Sequence, residues 1–198
     1  MGEDWHFLLE AGSDTEVKSH KGQTVLFSWA DQSFHWTSEP NKAKKFISLL
    51  LRYGANPSAT DEAGNTLLHC KQRSINLKAV ELLAKASVNI NSARRSDLVT
   101  PLIAAAQGQF VDSIRLFVDN GARPNLQDHL GNTALHYICS SWLAKMSHIK
   151  EWLSFCDPSI KNNKGETAIY NLHCRRDSHQ YKADLILMWI ERCWLYSV

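Results

Sequence analysis

No stretch of this 198-residue chain is apolar for long enough to cross a bilayer. The longest such run near its end, Leu185 to Ile190, is far short of the roughly 20 residues a membrane helix needs. Met1 to Glu10 lacks a basic stretch followed by an apolar one and lacks a small-residue cleavage site, so no secretory leader is expected. His6 stands where a myristoylation signal wants Ser or Thr, and Cys193 lies too far from the end for prenylation. Charge of one sign is scarce as well. A formal net charge of +2 is too small for a protein that neutralises many phosphates, so nucleic acid is not an expected partner. The cysteines Cys70, Cys139, Cys156, Cys174 and Cys193 are odd in number and form no C-x-x-C pair. They read as reduced thiols, which points to the cytoplasm or nucleus. Nor is there a glycine-rich phosphate loop, a nucleophile elbow or a zinc-protease helix motif, so no enzymatic activity and no cofactor is expected.

What the chain does have is internal repetition, the first thing to seek in a sequence of ordinary globular composition. Four segments align on a Gly-x-Thr element: Gly22-Gln23-Thr24, Gly64-Asn65-Thr66, Gly131-Asn132-Thr133 and Gly165-Glu166-Thr167. A fifth, Leu98-Val99-Thr100, keeps the Thr and loses the Gly, which weakens the expectation of a turn there. Successive threonines lie 42, 34, 33 and 34 residues apart, a period near 33 with one enlarged unit. Each Thr precedes an apolar segment, such as Leu67-Leu68-His69, Pro101-Leu102-Ile103 or Ala134-Leu135-His136. Thr can cap a helix through its hydroxyl, and Pro101 falls at the first helical position, where its missing N–H costs nothing. The glycine two residues earlier suits a tight turn of positive φ.

A second helix is predicted in each unit. Lys45 to Tyr53, Ala79 to Leu83 and Ser113 to Val118 place apolar residues three and four apart. Two of these segments close on Gly54-Ala55 and Gly121-Ala122, and Pro57, Pro124 and Pro158 block continuation.

The strings Gly-Asn-Thr-Leu-Leu-His, Thr-Pro-Leu-Ile-Ala-Ala-Ala, Gly-Asn-Thr-Ala-Leu-His, Arg-Tyr-Gly-Ala-Asn-Pro and Asp-Asn-Gly-Ala-Arg-Pro, in this order and phase, resemble the ankyrin repeat. The resemblance implies an all-α solenoid of four to five stacked helix-loop-helix units with hairpin-like turns. It implies one domain over 1–198, with a partial repeat at 1–17 and a repeat at 18–60 carrying an insertion near 31–41. Repeats follow at 61–94, 95–127 and 128–161, then a divergent C-terminal repeat or cap at 162–198. Trp5 to Gly12 reads as the outer helix of the partial repeat. His69 and His136 share one repeat position, where the family uses His to tie the turn together by hydrogen bonds. Phe27, Ile103 and Tyr170 fill that slot in other units, which fits scaffold better than proton transfer. The adjacent pairs His69-Cys70 and His173-Cys174 do not converge as metal ligands should, so no metal site is expected.

The resemblance also implies a protein-interaction scaffold that docks its partner on a concave face, built from the hairpin tips and the exposed side of each inner helix. Position by position this gives Lys21, Gln23, Glu62, Asn65, Arg95, Asp97, His129, Asn132, Lys164 and Glu166 at the tips, and Arg73, Gln107 and Arg175 on inner helices. Trp36, inside the insertion, is a candidate anchor because aromatic side chains are favoured in interfaces. Lys21, Arg73, Arg94, Arg95, Lys161, Lys164, Arg175 and Arg176 outnumber Asp31, Glu62, Asp97 and Glu166 along this face, which suits a partner of acidic character. The apolar segment Leu185 to Leu195 could cap the stack or meet a second copy of the chain. Two other readings stand beside the scaffold. One is a regulatory or targeting module of a larger multidomain enzyme or effector. The other is an inhibitor resembling those of Rel-type transcription factors.

Overall fold

The computed structural model of the chain describes residues 9–32, 40–69, 83, 86, 88–141 and 146–173. The chain divides into two compact units, Met1–Ala122 and Arg123–Val198.

In the first unit, Leu9 is buried at the end of a helical turn that closes with the Gly12 amide donating to the Leu9 carbonyl, at φ +81°. The first half of the segment Trp5 to Gly12, expected as the outer helix of a partial repeat over 1–17, falls within residues 1–8, which lie outside the described ones. Helix α1 (Val25–Gln32) follows Thr24, whose hydroxyl accepts from the Phe27 amide at 3.4 Å. Helix α2 (Pro40–Arg52) begins on a proline and buries Ile47 and Leu50, one turn apart, while Lys45, Ser48 and Arg52 face solvent. It stops at Gly54, φ +85°, where the amides of Gly54 and Ala55 donate back to Leu51 and Leu50. The insertion expected near 31–41 falls mostly on residues outside the described ones.

The second repeat opens with a 3-10 turn, Leu67–His69, all three residues buried. The third opens with helix α3 (Pro101–Gln107), whose N-cap Thr100 accepts from the Ile103 amide and whose first residue is Pro101. Ala105 and Ala106 are fully buried there, because a run of alanines lets neighbouring elements approach closely. Helix α4 (Val111–Asp119) buries Ile114 and Phe117 and ends at Gly121, φ +91°. Helix α3 packs against α4 and against the 3-10 turn, and the turn also packs on α1. Each fully buried Phe or Leu in such a core contributes about 1.5–3 kcal/mol.

In the second unit, helix α5 (Ala134–Ser140) packs against both α6 (Met146–Trp152) and α7 (Ala168–His173). Leu135, Cys139, Ile149, Trp152 and Ala168 are the buried contacts, with the Trp152 and Phe155 rings 5.3 Å apart. Antiparallel bridges Thr60 to Thr66 and Lys161 to Thr167 close the base of two hairpins. The described residues are therefore helical repeats joined by hairpin turns, the architecture the repeat strings imply. Among them no helix is long and apolar enough to cross a membrane.

Candidate functional site

Five hairpin turns carry the repeat's presented residues, three in the first unit and two in the second. In four of them the first residue's amide donates to the carbonyl four residues on: Ser19 to Gln23, Asp61 to Asn65, Asp128 to Asn132 and Asn162 to Glu166, at 2.8–3.0 Å. The glycine amide donates back to the first residue's carbonyl. Such a corner needs a left-handed residue, and Gly22, Gly64, Gly131 and Gly165 supply it with φ between +70° and +80°. The first residue also locks the loop through its side chain. Asp128 Oδ1 accepts from the amides of Leu130 and Asn132, and Asn162 Oδ1 from those of Lys164 and Glu166. Short oxygen-bearing side chains do this best.

The third turn obeys the same logic by other means. It starts at Arg94, which has no acceptor, and it is one residue longer: the Arg94 amide donates to Val99, and the Leu98 amide returns to Arg94, both at 3.0 Å. Asp97 takes over the acceptor role, receiving the Val99 amide at 3.1 Å. Its carboxylate is gripped by the Arg94 guanidinium through two bonds of 3.0 and 2.6 Å, a bidentate pair. Arg94 also reaches Asn65 Oδ1 at 3.4 Å. Leu98 occupies the glycine corner at φ +58°, so the turn forms although its glycine is missing. A left-handed non-glycine residue costs about 1–2 kcal/mol.

Neighbouring tips touch through their backbones within each unit. The Lys21 carbonyl accepts from the Glu62 amide at 3.4 Å, and the Leu130 carbonyl from the Asn163 amide at 3.0 Å. A Cβ on Gly131 would stand 2.6 Å from Asn163 Oδ1 and 2.7 Å from its backbone nitrogen, so this corner is glycine for two independent reasons.

In two of the repeats an imidazole joins the turn to the repeat after it. The Thr66 amide donates to His69 Nδ1 at 3.1 Å, which leaves Nε2 as the N–H that donates to the Val99 carbonyl at 3.0 Å. His136 repeats the pattern with Thr133 and the Glu166 carbonyl. Burial lowers the His69 pKa to about 4 against the pull of its Val99 bond, and burial lowers that of His136 as well. Both ring nitrogens of each are committed to the scaffold. Burial likewise pushes the Cys156 thiol up to about 12.

The expected site residues divide by exposure. Lys21, Glu62, Arg95, Gln107, His129 and Lys164 are exposed. Gln23, Asn65, Asp97, Asn132 and Glu166 are half-buried, and four of these five bond within or between the turns. Asn65 donates to Asp61 Oδ2, Asn132 Oδ1 and Glu166 Oε2 both accept from Asn162 Nδ2, and Asp97 holds Arg94. Trp36, Arg73, Arg175 and Arg176 lie outside the described residues, as does the apolar segment Leu185 to Leu195. Two exposed leucines, Leu98 and Leu130, stand at tips, each 49% accessible. Leu98 was legible only as a missing glycine, the single signal for it. Tyr137, whose hydroxyl donates to Asp128 Oδ2, fixes that turn to α5 and carries no sequence signal.

The family description "Ankyrin repeats (3 copies)" matches residues 34–128 and 76–146. An ankyrin repeat protein of Acanthamoeba polyphaga mimivirus is 34% identical over 202 residues, covering 81% of this chain and 48% of that protein. A second from the same virus is 29% identical over 136 residues, covering 67% of this chain and 19% of its own. The E3 ubiquitin-protein ligase KEG of Arabidopsis thaliana is 28% identical over 134 residues, covering 64% of this chain and 8% of the ligase. The chain thus spans about half of the first relative's length and less of the other two.

Proposed function

This chain belongs to the ankyrin-repeat family, whose repeats are generally protein-interaction modules, and on that premise we propose that it is a scaffold that docks a protein partner on its hairpin tips without catalysing a reaction. The observation that carries this reading is the division of labour at each tip. Asp61, Asp97, Asp128 and Asn162 satisfy the loop amides internally, so the loop is rigid before anything binds. Lys21, Glu62 and Arg95 in the first unit, and His129 and Lys164 in the second, are left exposed on that frame. A pre-ordered loop has little entropy to lose on association.

A partner of acidic character fits the exposed charges. In the first unit Lys21 and Arg95 are exposed against Glu62, with Arg94 already paired to Asp97, and in the second unit Lys161 and Lys164 are exposed. Cys139 and Cys156 are buried and outside any disulfide, which supports work in a reducing compartment such as the cytoplasm or nucleus.

A second reading, a targeting module of a larger multidomain protein, is favoured by the small share of the plant ligase that the match covers. In both readings the tips do the docking. Purification of tagged wild type and of a Lys21→Glu, Arg95→Glu, Lys164→Glu variant, followed by quantitative mass spectrometry, tests this. Proteins recovered with the wild type and lost with the folded variant support tip docking. An unchanged set rejects it.

A further inference from the structure

We propose that Leu98 is the apolar anchor of the third hairpin, and that the partner segment it receives pairs an apolar side chain with neighbouring carboxylates. The inference rests on the docking reading above and narrows it. An exposed leucine by itself means little, since folded surfaces carry many. The place of this one is what matters.

Of the five turn corners, four are glycine, and all five adopt left-handed φ. Glycine would therefore close the third corner as it closes the others, without the conformational cost. Packing offsets only part of that cost for Leu98, because it remains 49% exposed. The other left-handed non-glycine residue among those described, Gln109 at φ +62°, has a structural reason. Its amide donates to Ala106 and the next amide, of Phe110, to Ala105, which is the hydrogen-bonded stop of α3. Leu98 also closes its turn, its amide returning to the Arg94 carbonyl as a glycine amide does in the other four, so the bond itself does not call for a leucine; Asp97, held by Arg94, receives the Val99 amide. The surroundings hold the corner closed with a leucine in it, and about half of that leucine is open to solvent. Strain maintained by its surroundings, with the side chain left free, marks a contact residue.

The chemistry beside it selects the partner. Arg94 and Arg95 against Asp97 leave the third turn with one net positive charge, on the exposed Arg95. An apolar anchor beside a free guanidinium fits an apolar side chain flanked by Asp or Glu.

The test is selection of phage-displayed random linear peptides on the full chain, followed by affinity measurements on synthetic versions of those enriched. The proposal expects peptides with an apolar residue beside acidic ones, whose affinity falls roughly tenfold on Leu98→Asn and on Leu98→Gly, the scale of an anchor residue. Both replacements tolerate left-handed φ, so melting temperatures at or above wild type confirm that folding is intact. Peptides that bind both variants as tightly as wild type overturn the proposal, as does a selection that returns no acidic, apolar sequences. Loss of binding on Lys21→Glu or Lys164→Glu with none at Leu98 removes the anchor and leaves tip docking standing. Indifference to every tip variant removes both.

Discussion

His69 Nε2 donates to the carbonyl of Val99 at 3.0 Å, linking the head of one repeat's helix to the residue just before the next repeat's cap, Thr100. His136 and Glu166 stand in the same relation at 3.2 Å. One side chain thereby satisfies a turn amide on one ring nitrogen and a carbonyl 30 residues away on the other. His69→Ala takes the ring acceptor from the buried Thr66 amide and one of two donors from the Val99 carbonyl, which keeps the Arg94 amide. The expected loss is about 2–4 kcal/mol, from the two lost hydrogen bonds and the cavity left by a buried ring, measured by urea denaturation.

The same bonds make stability depend on pH. His69 in the folded chain has its pKa lowered from 6.5 to about 4 by burial, so the unfolded chain takes up a proton that the folded one refuses. The contribution is complete above pH 6.5 and is lost as pH falls towards 4, by about 3 kcal/mol at roughly 1.4 kcal/mol per unit. His136 acts in the same direction. Denaturation midpoints across this range are expected to fall more steeply for wild type than for His69→Ile, the residue that Ile103 already provides at the equivalent position. Parallel curves would show that His69 does not titrate as described.

Gly131 and Gly165 have nearly the same φ, +74° and +77°, in different surroundings. A Cβ at Gly165 meets nothing within 4 Å, whereas one at Gly131 collides with Asn163. Gly165→Ala is expected to cost about 1–2 kcal/mol for the conformation alone. Gly131→Ala adds about 1–3 kcal/mol for the collision. Thermal melts of the two variants separate the terms, and equal losses would mean that the tips are not as close as the Leu130 to Asn163 hydrogen bond requires.

Leu98→Gly is expected to raise stability by about 1 kcal/mol, or about 2–4 °C in melting temperature for a chain of this size. Asp97→Ala has the opposite sign. It removes the acceptor for the Val99 amide and both carboxylate bonds of Arg94, which keeps only its 3.4 Å bond to Asn65, at a cost of about 1–3 kcal/mol. A neutral Asp97→Ala would leave the third turn without its explained lock.

The helical framework was legible because its punctuation is chemical. Gly54 and Gly121 stop helices at left-handed φ, Pro101 starts one, and Thr100 caps it, each for reasons visible in the residue itself. The tip row was legible only in part. Asn65, Asn132, Asp97 and Glu166 carry the groups a partner would use and a turn would use, and the sequence has no way to tell these apart. The structure commits them inward. Arg94 counted as a free cation by charge alone, and its pairing with Asp97 depends on a tip one residue longer than the rest. That extra residue is masked in the threonine spacing, which stays near the common period.

Hydrogen exchange of the full chain, alone and with a purified partner recovered through it, tests the central claim most directly. Docking on the tips predicts new protection of amides at 20–23, 62–65 and 95–99 in the first unit, or at 129–132 and 163–166 in the second. Protection confined to the helices that carry the exposed Lys45, Ser48, Arg52 and Arg115, with the tip amides unchanged, would contradict it.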